Sequence, residues 1–190
     1  RQVIKYLLGT ADWVWQFPYQ KRSAELQAQS DSDWAADVET RKSVSSGFLR
    51  NGAHVWEHWC TGQQLVALSS GEAEFYALLK GVVEALGLNA IAEDLGLQLR
   101  APRVGTDSTA AKGAAVRHGF GKLKHLELKH LWVQEAVRAK RIVVVKEHTT
   151  TNLADLMTKH LPEAAMLAHL KEAGCELREG RPEGGPHLEE

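Results

Sequence analysis

Val44-Ser45-Ser46-Gly47-Phe48-Leu49-Arg50-Asn51-Gly52-Ala53-His54-Val55-Trp56-Glu57-His58-Trp59-Cys60 is the stretch on which the fold turns. Two strand-like runs flank Asn51-Gly52, and that dipeptide between such runs is the strongest short signal for an antiparallel hairpin. Just upstream, Leu26, Ala28 and Ser30 alternate with Gln27, Gln29 and Asp31, the period of a strand. The chain therefore opens with an antiparallel sheet. Gly62 starts another turn, and Gln64 to Leu68 reads as a continuation or a short extra strand.

The period then changes. Phe75, Leu78, Leu79, Val82 and Leu86 form an apolar helical stripe. Ser69-Ser70-Gly71-Glu72 before it is a capping box, and Gly96 is the expected stop after Leu95. Pro102 to Thr106 is a strand candidate, and Asp107-Ser108 opens a helix over Thr109 to Val116. Leu128, Leu131, Trp132, Ala136 and Ala139 mark a further helix. Ile142-Val143-Val144-Val145, within Arg141 to Lys146, suits a strand buried on both faces. A last helix starts near Asn152. This order predicts an α/β fold: a mixed sheet, antiparallel at first and parallel later, with helices on its faces and right-handed crossovers.

An apolar fraction of 44% allows a sizeable core. No apolar run approaches the roughly 20 residues that span a bilayer, and no signal peptide is evident, so no membrane role and no secretion are expected. The chain has no initiator Met, which suggests a piece of a longer one. Cys60 and Cys175 lack metal-ligand or disulfide spacing and read as reduced thiols, Cys60 in the core. Net charge is −1, yet Arg117 to Lys146 carries eight basic residues against two acids, enough to track phosphates or simply to form a solvated face.

Four acids fall at the ends of predicted elements: Asp31, Glu74, Asp107 and Asp155. Each has a plain structural alternative. Asp107 fits a helix N-cap, Asp155 a first-turn acid paired with Asn152, Asp31 a turn, and Glu74 an exposed helix position. Spacing does not choose Glu74 over Glu72; the capping role of Glu72 leaves Glu74 free. If the four converge at strand ends, they repel unless cations neutralise them. Magnesium, hard and oxygen-seeking, is the natural partner, and two such ions suit phosphodiester cleavage.

The residues around these acids resemble the ribonuclease H domain of copia-type retrotransposon Pol polyproteins. The resemblance is carried, in order, by Ser30-Asp31-Ser32-Asp33-Trp34-Ala35-Ala36-Asp37, by Arg41-Lys42-Ser43-Val44-Ser45-Ser46-Gly47-Phe48, and by Val66-Ala67-Leu68-Ser69-Ser70-Gly71-Glu72-Ala73-Glu74-Phe75. Thr106-Asp107-Ser108-Thr109-Ala110-Ala111, Leu123-Lys124-His125-Leu126 and Leu153-Ala154-Asp155-Leu156-Met157-Thr158-Lys159 complete it. It covers residues 26 to 162, and residues 3 to 10 look like the segment upstream of that domain. Gly71, Thr106 and His160 depart from the family's usual Thr, Cys and Pro.

The resemblance implies a ribonuclease H-like fold with a five-stranded sheet and helices on both faces. It implies that Asp31, Glu74, Asp107 and Asp155 are catalytic metal ligands for two magnesium ions, which manganese can replace. The implied reaction is endonucleolytic hydrolysis of the RNA strand of RNA–DNA hybrids beside a reverse transcriptase in the same polyprotein. No small-molecule cofactor is expected, and the place of action is intracellular: cytoplasm, element particle or nucleus. Ser43, Ser45, Ser108, Lys122, Lys124 and His125 are candidate nucleic-acid contacts, with polar filling of a strand as the alternative for Ser43 and Ser45. His148 is a candidate auxiliary residue, with an ordinary loop histidine as the alternative. The six tryptophans are expected in the core more than as base platforms, with Trp34 the one to test. The layout is an arm over 1–25 containing a short helix at Val3 to Leu8, the domain over 26–162, a C-terminal helix over 163–177, and a disordered tail over 178–190. The rival reading is a silent hybrid-binding module of the same fold. A transposase or integrase core is weaker, because there the helix acid comes late in the chain.

Overall fold

The computed structural model describes residue 4, residues 10–118 and residues 132–178. Its main sheet is built from β2 (Leu26–Asp33), β3 (Val44–Asn51), β4 (His54–Gly62), β5 (Arg103–Thr106) and β6 (Val143–Lys146), in the order β4-β3-β2-β5-β6. β4, β3 and β2 are antiparallel, while β2-β5 and β5-β6 are parallel. The expected mixed five-stranded sheet is the one present. Joining the parallel strands are α1 (Ser70–Asp94), α2 (Thr109–Val116) and α3 (Trp132–Arg138). After β6 come a 3-10 turn (Thr149–Thr151), α4 (Asp155–Thr158), α5 (Glu163–Glu172) and β7 (Cys175–Leu177).

Strand alternation divides the interior into two layers. Leu26 and Ala28 of β2, Leu49 of β3 and Val104 of β5 bury against Phe75, Leu78 and Val82 of α1. Phe48, one residue from Leu49, turns to the opposite face and packs with Val55, Leu153 and Ala173. Helices thus cover both faces. The apolar stripe of α1 is fully buried at Phe75, Leu78 and Val82, each contributing on the order of 1.5–3 kcal/mol. By length and composition α1 is apolar enough to cross a membrane, which its residues read singly had not suggested, but half of its apolar window packs on the sheet.

Close packing needs glycine at one strand position. A Cβ on Gly47 would lie 2.1 Å from the Trp59 ring and 2.7 Å from the Gln29 carbonyl oxygen. The Trp59 ring therefore lies directly over β3. Other local signals act as read. Ser69 caps α1 by accepting from the Glu72 N–H at 3.2 Å. Gly96, at φ +76°, ends the helix, with its N–H donating to Glu93 and that of Leu97 donating to Ala92.

Several expectations need correction. The hairpin turns at Gly52-Ala53: Gly52 takes φ +60°, while Asn51 closes β3 and its amide donates to the Ser23 and Glu25 carbonyls. Glu72 reaches back to the Leu68 N–H, one residue before the cap. Residues 64–68 form no strand, because Gln63 turns inward to donate to Ser45 and the Ala73 carbonyl, breaking the alternation. β6 is an edge strand with Val143 46% exposed, so its β-branched run is not buried on both faces. Cys60 is exposed, and Cys175 is the buried thiol. Of the tryptophans only Trp59 is buried; Trp15, Trp34, Trp56 and Trp132 are exposed. The C-terminal helix stops at Glu172, after which β7 pairs antiparallel with β1 (Trp13–Trp15), so the arm and the chain's end form a second small sheet. Of the expected helix at residues 3–8 only Ile4 is described, in helical conformation; Leu128 and Leu131 of the later helix and the tail beyond 178 lie outside the described residues.

Candidate active site

Sheet register delivers the first two acids. β2 and β5 run parallel with Ser30 opposite Thr106, so the next residues, Asp31 and Asp107, leave neighbouring strands at the same end. Asp31 is 1% exposed and Asp107 14% at the side chain. Asp107 is not the helix cap: Ser108 takes that role, its hydroxyl accepting from the Ala111 N–H at 3.1 Å. The Asp107 carboxylate is left to face the strand end, where the Thr149 hydroxyl donates to it at 3.2 Å.

Asp155 arrives differently. The segment before it is strapped onto the sheet by side chains. Gln29 donates to the Thr151 carbonyl at 3.0 Å and accepts from the Leu153 N–H at 3.2 Å. Asn152 donates to the Ser30 carbonyl at 3.2 Å, and the Ser46 hydroxyl donates to the Ala154 carbonyl at 2.6 Å. Leu153, fully buried, anchors the strap in the second core layer. The result is a trio: Asp31, Asp107 and Asp155 each offer an oxygen within 4.8 Å of the others.

Glu74, in the second turn of α1, stands beside this trio. Its Oε2 is buried, with the Ser32 hydroxyl as a weak partner that lowers its pKa only slightly against burial. Burial, and then the charges of Asp31 and Asp107, push its carboxyl up to about 8. Burial also raises Asp31, against the Thr158 hydrogen bond and the Lys159 charge, and raises Asp155 against the same lysine.

Two residues of the site were not assigned a role from sequence. The Thr158 hydroxyl donates to Asp31 Oδ2. Lys159 places its ammonium 2.9 Å from Asp155, 3.3 Å from Asp31 and 3.8 Å from Asp107. Although burial opposes its charge, the Asp155 hydrogen bond and the three carboxylates hold Lys159 up at about 12. The available signal was spacing, since Lys159 follows Asp155 by four residues, the separation at which opposite charges meet on one helical turn.

The remaining candidates sit elsewhere. Ser43 is buried and its hydroxyl accepts from the N–H of Ala35, a residue held at φ +54°. Ser45 is buried and accepts from Gln63. Both fill the interior, which corrects their reading as nucleic-acid contacts. The Ser108 hydroxyl is engaged in its cap. His148 is exposed, with its Nδ1 2.8 Å from the Thr150 hydroxyl, in the turn that also carries Thr149 to Asp107. Trp34 is 48% exposed, with its indole N–H fixed to the Ala67 carbonyl. Lys122, Lys124 and His125 lie outside the described residues, as does the rest of 119–131 within the basic stretch.

A sheet in the order β4-β3-β2-β5-β6, with carboxylates gathered at the ends of its two middle strands, defines a ribonuclease H-like fold. The chain is homologous to a segment of the retrovirus-related Pol polyproteins of plant transposons, in agreement with the motif resemblance. It is 33% identical over 141 residues, 72% of the chain, to the Pol polyprotein of transposon TNT 1-94 from Nicotiana tabacum. It is 29% identical over 167 residues, 87% of the chain, to that of transposon RE2 from Arabidopsis thaliana. The chain spans about a tenth of the length of these relatives. Among solved structures it is similar to the N-terminal RNase H domain of a Mycobacterium tuberculosis protein, with a TM-score of 0.47 and 19% identity over 80% of this chain and 99% of that one. No family model matches.

Proposed function

We propose that this chain is a metal-dependent ribonuclease H, cutting the RNA strand of RNA–DNA hybrids within an intracellular Pol polyprotein that also carries a reverse transcriptase. The observation that carries the reading is the convergence of Asp31, Asp107 and Asp155 from three distant segments onto one spot. Such like charges raise one another's pKa and destabilise the fold unless a cation answers them.

The donor set fits magnesium. It is all oxygen, it already draws an ammonium in among its carboxylates, and Glu74 adds a further buried carboxylate with only the Ser32 hydroxyl acting on it as a hydrogen-bond partner. Asp31, Asp107, Asp155 and Glu74 would hold two ions, with manganese an acceptable substitute. When bound, such ions activate a water and offset charge at the scissile phosphate. The protein's part is positional: the β2–β5 register holds Asp31 and Asp107 side by side, and the strap fixes Asp155. Glu74 keeps a proton near neutrality in the metal-free chain and gives it up on taking a cation. Recognition of the hybrid would rest on its shape and on the RNA 2′-hydroxyl, with carboxylates at the centre of the site.

The test is cleavage of a labelled RNA–DNA hybrid with magnesium. The intact chain is expected to cut the RNA strand, and Asp107→Asn to lose roughly a thousandfold or more in rate while still binding hybrid. Binding without any cleavage by the intact chain would establish the silent module instead.

A further inference from the structure

Lys159 occupies the place a metal ion needs. Its ammonium is within 3.8 Å of all three aspartates and within 3.3 Å of two of them. Magnesium binds carboxylate oxygens at about 2.0–2.1 Å. The aspartate oxygens lie within 4.8 Å of one another, so an ion held by these three would meet the Lys159 ammonium at close range. Lys159 is also placed to leave. It sits past the end of α4 with extended backbone, φ −124° and ψ 145°, and its side chain is 37% exposed on a flexible four-carbon stem. Thr158 and Lys159 both bond Asp31, so the end of α4 ties the strap's acid to the first-strand acid without any metal.

We infer that Lys159 is a built-in counter-ion: it fills the cation position among Asp31, Asp107 and Asp155 in the metal-free chain and is displaced when a divalent ion binds there. The inference rests on the metal-site reading above. Two consequences follow from charge alone. Without metal, the ammonium holds the three carboxylates together, so the site is assembled before an ion arrives. With metal, the ion must displace a charge already in place, so affinity is set lower than the bare acids would give.

The experiment measures manganese binding to the full chain by the paramagnetic resonance of free Mn2+, together with thermal melts with and without the ion. Lys159→Met keeps the stem and removes the charge; Lys159→Arg keeps the charge. Lys159→Met is expected to bind manganese about tenfold more tightly or better, because a unit charge a few ångströms away has been removed. Its metal-free melting temperature is expected to fall below that of the parent and to recover when manganese is added. Lys159→Arg is expected to stay near the parent in both. Asp107→Asn serves as the control for place: if it leaves manganese binding unchanged, the acids are not the site and the functional reading fails with this one. If Asp107→Asn weakens binding but Lys159→Met binds no more tightly than the parent, the counter-ion inference alone is overturned. Should Lys159→Met fail to fold without metal, refolding on manganese supports the inference, and failure to refold overturns it.

Discussion

Asp31 and Asp107 reach the site by backbone register, whereas Asp155 reaches it by side chains. The first pair is placed by adjacent parallel strands, whose ladder sets both positions together. The third acid hangs on a strap of Gln29, Asn152 and Ser46, each bonding backbone more than a hundred residues away in sequence. Register is shared by many bonds, so losing one changes little. A strap concentrates placement in a few buried amides and hydroxyls, where each lost partner leaves a polar group unpaired. The strand half of the site is therefore built to tolerate the loss of a single bond, and the strap half to feel it.

Substitutions can break either half. Gly47→Ala attacks the register side, because its new Cβ meets the Trp59 ring and the Gln29 carbonyl and neither is free to yield. A loss of about 3 kcal/mol is expected, roughly 6–12 °C in Tm, read by a thermal melt. Asn152→Ala attacks the strap by removing the donor to Ser30 and the acceptor for Ala154. About 2 kcal/mol should be lost, with cleavage falling more than stability predicts, since Asp155 loses its placement while the sheet persists. Equal losses in cleavage for a Tm-matched substitution far from the strap would remove the distinction.

The pH dependence sharpens the picture. Glu74 in the folded, metal-free chain holds its proton up to about pH 8, whereas the unfolded chain releases it near its ordinary value of 4.5. The native state therefore binds more protons in that window, and this group's contribution to stability falls as pH rises through it. Asp31 and Asp155, also raised, act in the same sense. Glu74→Gln should flatten the decline of metal-free Tm between pH 5 and pH 9; an unchanged slope would show that Glu74 is not the group responsible. The smallest effect expected is for Ser69→Ala, which loses the α1 cap at a cost of about 1 kcal/mol and leaves cleavage unaltered once folded.

Much of this was legible because local chemistry acts over a few residues. Ser69 and Gly96 bound α1 where capping rules place them, and the stripe from Phe75 to Val82 faces the sheet. The alternation through Leu26, Ala28 and Ser30 is that of β2. Other features failed for want of the third dimension. Ser43 and Ser45 could be read as ligand contacts or as polar filling of a strand, and only their burial and their bonds to Ala35 and Gln63 favour filling. Cys60 and most tryptophans looked like core yet are exposed, since the pleat and the edge decide which apolar residue is covered. β1 and β7 are three residues each and from opposite ends of the described chain; neither run announces a partner.

By itself the sequence determined the order of the main-sheet strands and the long helix and marked four acids as candidates, because periodicity, caps and turn residues encode local free energies. Only the tertiary structure decided which acids share a space, that Ser108 and not Asp107 caps α2, and that Lys159 stands among the carboxylates. Those outcomes depend on register and on bonds between residues far apart in the chain, and short-range preferences do not specify the distances at which charges meet.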